Sequence, residues 1–162
     1  MYEHTVDDLP ADRLARKLAA AAGVVFLLVG IAGFIPGLTT NFDEMEFAGH
    51  ESGAELFGLF QVSVLHNLVH LAFGVVGLLL ATRAAAARSF LIGGGVVYLA
   101  LWLYGVVVDE TGDANFVPLN DADDWLHLGL GVGMLALGLA TLPRDRGARE
   151  VDSYRRPGTA QT

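Results

Sequence analysis

The sequence predicts an all-α fold, a four-helix transmembrane bundle with both termini in the cytoplasm (N-in/C-in) and two acidic outer loops. Three observations predict it. Four apolar runs, at about 18–38, 56–82, 89–108 and 125–142, recur along a chain of 162 residues that is 53% hydrophobic with a mean hydropathy of +0.48. All ten basic residues fall on one side of that pattern: Arg13, Arg16 and Lys17 precede the first run, Arg83 and Arg88 separate the second from the third, and Arg144, Arg146, Arg149, Arg155 and Arg156 follow the fourth. The other two connections, 39–55 and 109–124, hold eleven carboxylates and no Lys or Arg. Basic residues gather at the cytoplasmic ends of spans, so the alternation fixes the orientation.

The first run, Leu18–Leu38, has 21 uncharged residues. As a helix it is about 31 Å long at 1.5 Å per residue, enough to cross the hydrocarbon. Asp8-Leu9-Pro10 reads as a helix start upstream of it, with Ala11–Lys17 lying along the inner interface. The acidic first dozen residues and the lack of a small-residue cleavage site argue for a retained span rather than a cleaved signal. The second run, Leu56–Thr82, has 27 uncharged residues and must tilt or project beyond the bilayer. The short basic link 83–88 makes the second and third helices antiparallel neighbours. Ser89–Val108 and Trp125–Leu142 supply the last two spans, and 143–162 reads as a flexible cytoplasmic tail without apolar period. The whole chain is one integral membrane domain.

The formal charge of −8 is sided, because the outer loops alone contribute −11. Such a surface repels nucleic acid. The absence of cysteine excludes disulfides, thiolate metal sites and iron–sulfur clusters. The expected partners are the lipid bilayer and, beyond it, a second copy or the other subunits of a membrane complex.

Glycines point to close helix packing, which in lipid replaces the missing apolar drive between helices. Gly30, Gly33 and Gly37 form one stripe, Gly74 and Gly77 share a face, and Gly129 and Gly133 make a GxxxG pair. A short internal echo accompanies them. Gly23-Val24-Val25-Phe26 resembles Gly95-Val96-Val97-Tyr98, and His70-Leu71-x-Phe73-Gly74-Val75 resembles His127-Leu128-x-Leu130-Gly131-Val132. Both pairs relate helices of like orientation, as in a duplicated hairpin with an insertion in its first half.

Ionisable side chains within a span are costly and raise a functional hypothesis. Here they are His66, His70 and His127, with Gln61, Ser63 and Asn67 nearby. His66 and His70 are four apart, one turn above the other on one helix face. Counting from the inner arginines puts His66 and His127 each 17 residues out, and Tyr104 16 residues out, near the outer leaflet. Two or three imidazoles could hold Zn²⁺ or Cu²⁺, with Asp123 or Asp124 as an oxygen ligand, or grip a haem. Asn67 stands where a zinc hydrolase has its Glu, which argues against zinc-protease chemistry. The competing reading gives the histidines interhelical hydrogen bonding and nothing more. In the loop before the fourth run, Asn120 is placed to cap the helix, Asp121, Asp123 and Asp124 to meet its dipole, and Trp125 to anchor at the interface.

GFIPGLTTNF, LFGLFQVSVLHNLVHLAFGVVGLLLA, GGGVVYLALWLYG and ANFVPLNDADDWLHLGLGVGMLALG together resemble an uncharacterised prokaryotic family of four-helix integral membrane proteins catalogued as a domain of unknown function. The resemblance covers roughly Leu14–Leu142, with HNLVH and NFVPLN…WLH as its most specific segments. It implies the four-span architecture and carries no activity, cofactor or catalytic residue. Two functions therefore remain from the sequence. One is a non-enzymatic membrane protein whose intramembrane histidines fix helix packing. The other is a metal-, haem- or small-ligand-binding protein that uses the His66/His70/His127 layer.

Overall fold

A computed structural model describes residues 9–143. The basic stretch 144–162 of the expected tail falls outside the described residues. Four helices dominate: α1 (Pro10–Ala32), α2 (Val64–Leu80), α3 (Ala84–Val107) and α4 (Asp121–Ala140). Of these, α1 and α3 are long and apolar enough to cross a membrane, and α2 is a shorter apolar helix. The fold is not purely α. Three two-residue strands, β1 (Thr39–Thr40), β2 (Glu55–Leu56) and β3 (Phe60–Gln61), form an antiparallel sheet in that order between α1 and α2.

The helix ends depart from the apolar runs for local reasons. Pro10 occupies the first turn of α1, where its missing N–H costs nothing. The helix then runs unbroken through Ala11–Lys17 into the apolar run. It stops at Ala32 rather than Leu38, because Pro36 disfavours helix at the residue before it and Gly37 turns with φ +94°. Thr39 Oγ1 donates to the carbonyls of Ala32 and Gly33, covering acceptors the helix end leaves open. The second run is not helical before Val64. Its first residues form the β2–β3 hairpin, where Phe57 and Gly58 both take positive φ. Ser63 then starts α2 by accepting a hydrogen bond from the His66 N–H. The expected 83–88 link belongs almost wholly to α3, which begins at Ala84.

Helix packing follows the glycines, and it follows them twice. In the first hairpin, a Cβ added at Gly23 would lie 2.9 Å from the Gly74 carbonyl oxygen and from the Leu78 nitrogen. In the second, a Cβ at Gly95 would lie 2.9 Å from the Gly131 oxygen and 2.7 Å from the Leu135 nitrogen. Conversely, Gly74 faces the Leu27 backbone and Gly131 the Leu99 backbone. One shift of 72 residues carries α1 onto α3, and one of 57 carries α2 onto α4. The same shifts relate Gly33 against Asn67 to Gly105 against Asp124, and the N-caps Ser63 and Asn120. Arg16 and Arg88 are likewise related, and each donates through Nε to the C-terminal carbonyl of its partner helix, Ala81 and Thr141 respectively. The duplicated hairpin seen as an echo is thus repeated in its glycine contacts and N-caps, while the carbonyl that Arg88 holds lies three residues beyond the equivalent of Ala81. The 15-residue difference between the shifts is extra chain in the first half, which contains the sheet.

Two expected glycine groupings are different in space. Gly37 lies beyond α1 with open space around it, and Gly129 and Gly133 have no neighbour within 4 Å of an added Cβ. The packed face of α4 is instead Gly131, Met134 and Gly138. The pattern GxxxG cannot by itself say which side of a helix meets a partner.

Phe26 and Tyr98, equivalent under the repeat, stack across the centre with centroids 5.4 Å apart and planes 6° apart. At the opposite end from the sheet, Arg88 is buried, pairing with Asp12 of α1 while its Nε holds the Thr141 carbonyl at 2.6 Å. It ties three helices together and is not a solvated loop charge.

Two tests follow from this packing. Gly74→Ala and Gly131→Ala should each destabilise the fold by about 1–3 kcal/mol through overpacking against backbone. Gly129→Ala and Gly133→Ala should fall within about 0.5 kcal/mol of wild type, all four read by unfolding in detergent. Arg88→Ala, which strands the buried Asp12, should cost about 3–5 kcal/mol, and replacing both residues with apolar ones should restore much of it.

Candidate functional site

The register that seats the glycines also sets the histidines. His66 and His70 lie on the buried face of α2 with Asn67, Gly74 and Gly77, and His127 lies on the buried face of α4. All three are buried, at 6%, 9% and 2% exposure. Their rings form a continuous aromatic set. His66 stacks on His70 at 4.7 Å, faces His127 at 6.3 Å, and His70 stacks on Phe26 at 6.0 Å. Tyr98 completes the set, 5.2 Å from His127.

A cavity of about 170 Å³ opens beside these rings, lined by the three histidines, Tyr98, Leu101 and Phe116 among others. It lies where α2 and α3 stand apart, under the loop that leads into α4. The surface it presents is almost entirely carbon. Yet the Nδ1 atoms of His66, His70 and His127 are all buried without a hydrogen-bond partner. No side-chain hydrogen bond joins these residues to another helix; they meet their neighbours through ring faces.

The remaining sequence candidates divide. Tyr104 is not in the histidine layer. Its hydroxyl donates to the Ala114 carbonyl and accepts from the Phe116 N–H, fastening the loop to α3. The ring in the layer is Tyr98, six residues earlier, since counting from Arg88 assumed that residue to be a solvated marker at the membrane surface. Its signal in the sequence was the echo that aligns Tyr98 with Phe26. Asn120 caps α4 as expected, with a reciprocal box in which Asp123 Oδ2 accepts from the Asn120 N–H. Asp123 also accepts from the Gln61 N–H of β3 at 3.0 Å, binding the sheet to α4. Asn67 and Asp124 each lie with Oδ1 over a glycine, Gly33 and Gly105, and neither Oδ1 has a hydrogen-bond partner. No set of three or more His, Asp or Glu among the described residues is arranged to hold a metal ion. A cavity of this size takes a benzene-sized body, not a macrocycle.

The aligned helices and loops carry the sequence pattern of a known family, described as a domain of unknown function (DUF4383), over residues 16–140. The chain belongs to that family. The match covers α1 from Arg16 onward, the sheet and the other three helices, so the paired glycines and the histidine layer fall inside the family's domain. No curated protein and no solved structure matches the chain.

The electrostatics at the head of α4 give a test outside the apolar run 125–142. Burial raises the Asp123 carboxyl to about 7, against the opposing pull of the Asn120 and Gln61 N–H groups. Both N–H groups bind Oδ2, leaving Oδ1 to carry the proton. A raised folded-state pKa means that Asp123 favours the fold fully below its ordinary value of 3.8 and loses that contribution as pH rises through about 7. Asp123→Asn keeps an acceptor for both donors and cannot ionise. The thermal midpoint of wild type should therefore fall relative to Asp123→Asn between pH 4 and 7. Asp123→Ala, which strands two donors, should be less stable at every pH.

Proposed function

We propose that this chain is a four-span protein of the cell membrane, N-in and C-in, that binds a small ligand in the His66/His70/His127 layer and does not transform it. The observation that carries the ligand reading is the three buried imidazoles with unpartnered nitrogens around a cavity. Each buried polar atom left without a partner costs about 1–3 kcal/mol. Packing alone would be served better by leucine or phenylalanine, so the nitrogens have their use when something fills the space beside them. The second reading, histidines as packing elements, draws on the ring stacking of His66, His70 and Phe26.

The membrane reading rests on an inverted distribution of polarity. The helices bury Gly, Ala, His, Asn, Asp and Arg, while Leu28, Leu79, Val107 and Leu139 are 50–74% exposed. In water such a surface would drive association. In lipid it is the expected outer face, and small residues are what let the helices approach. The basic residues at one end and eleven carboxylates at the other give the orientation.

The absence of cysteine makes the topology directly testable. Single cysteines at Asp43 and Thr111 should react with a membrane-impermeant maleimide on intact cells, and one at Thr82 only after permeabilisation. Labelling of all three on intact cells, or recovery of the protein in the soluble fraction, would sink the topology. For the ligand, native mass spectrometry of protein taken gently from its own membranes should show one adduct per chain. The adduct should be missing from the His66→Phe/His127→Phe double variant; an adduct-free wild type leaves the packing reading.

A further inference from the structure

The repeat makes two clefts, and the sheet closes only one. Under the two shifts, His66, His70, Tyr98 and Leu101 of the cavity correspond to Asp123, His127, Phe26 and Val29 on the α1/α4 side. There the sheet closes the space. Val29 and Ala32 pack under Ala54, Leu56 and Val62, and Asp123 is bonded to the Gln61 backbone. The α2/α3 side has no such plug. Its cavity adjoins a second space of about 270 Å³, sharing Leu101, Phe116 and Val117 as the boundary and continuing along α3 past Val97, Ala100 and Tyr104.

That second space lies on the outward face of the bundle, where Val97 is 46% and Phe116 57% exposed and Val69 beside the inner cavity is 51% exposed. The way to the histidines therefore runs sideways, from the surface the proposed topology gives to lipid, and not through the acidic outer loops. Both spaces are walled almost wholly by carbon. A water-borne, charged ligand is poorly matched to such a route, whereas a molecule dissolved in the bilayer is well matched.

The inner end asks for more than hydrocarbon. A half-turn of an imidazole about its Cβ–Cγ bond exchanges Nδ1 for a carbon edge with little change in shape, and that torsion is broad and two-fold. An unpartnered Nδ1 can thus take the place of a carbon on the other edge of its ring without moving the helix, and there donate to a carbonyl oxygen or accept from a hydroxyl. The inner cavity has room for one flat ring, with stacked aromatics on its walls.

We propose that the site, taken as the ligand site inferred above, binds a membrane-dissolved quinone or quinol. Its ring would lie among His66, His70, His127 and Tyr98, and its hydrocarbon tail would leave past Leu101 and Phe116 along α3. The proposal concerns binding; no electron transfer is included.

The test uses the full-length protein, freed of lipid and placed in nanodiscs, with a short-chain alkyl benzoquinone as the probe and the matching alkylbenzene as its control. Calorimetry should give one quinone per chain, bound at least tenfold more tightly than the alkylbenzene. His66→Phe and His127→Phe keep ring volume and remove nitrogen, so each should weaken the quinone about tenfold and leave the alkylbenzene unchanged. Leu101→Trp should abolish both by filling the boundary. Ala100→Leu, on the exposed wall of the outer space, carries little risk to folding and should weaken longer-tailed quinones more than short ones. Equal affinity for quinone and alkylbenzene, unchanged by His→Phe, would overturn the quinone assignment while leaving a hydrophobic ligand site. Absence of binding by either probe, together with an adduct-free protein from native membranes, would remove the ligand reading itself.

Discussion

The constraint on which the rest depends is the contact of backbone on backbone within each helical hairpin. Gly23 against Gly74 and Gly95 against Gly131 leave no room for a Cβ. Such contact fixes the rotation of each helix about its axis, because turning either by one residue would drive a side chain into main chain. Once rotation is fixed, the neighbours on the same stripe have no freedom of placement. His70 and His127 stand one turn from Gly74 and Gly131, so the glycine seam is also what brings imidazoles to the centre.

The same seam explains why the polar residues are tolerated. Asn67 and Asp124 fit only because Gly33 and Gly105 present bare Cα atoms to them, a fit that can add a weak C–H···O contact. At the other end, Arg16 and Arg88 supply donors to carbonyls that α2 and α4 leave unpaired at their C-termini. Polar groups inside this bundle are thus of two kinds. Some complete the backbone at helix ends, and others, the Nδ1 atoms of the central layer with Asn67 Oδ1 and Asp124 Oδ1, are buried without a hydrogen-bond partner.

Much of this was legible in the residues, and the failures have definite causes. The helical character, the four segments, the Asn120 cap and the grouping of His66, His70 and His127 follow from periodicity, spacing and capping chemistry. The sheet was missed because Leu56–Ser63 carries no charge, and an apolar run reads as helix unless the turn is noticed. Phe57 adopts positive φ without being glycine, so only Gly58 marked the hairpin. Arg88 was misjudged because a basic residue between apolar runs looks like a loop until a buried carboxylate, 76 residues away, is seen beside it. Tyr104 and Tyr98 exchanged roles for the same reason, since depth was counted from Arg88. Two four- to six-residue echoes foreshadowed a repeat whose other equivalences lie in contacts, and contacts are not written in one chain's order.

Duplication also bears on the proposal that the histidine layer binds a ligand. Two identical hairpins facing each other would give two equal clefts, each with one histidine and one central aromatic ring. This chain breaks that equality three times, and each break favours the same side. His66 replaces the acid that its counterpart Asp123 commits to the sheet; Tyr98 replaces Phe26; and the sheet carried by the longer first connection packs over Val29 and Ala32 of the opposite cleft. Were packing the sole demand, the plug would be worth having on both sides, because an open, carbon-walled cavity forfeits dispersion contacts all along its lining. One cleft is kept open where the unpartnered nitrogens gather, and that coincidence of space with unmet hydrogen-bonding capacity is what a binding site requires.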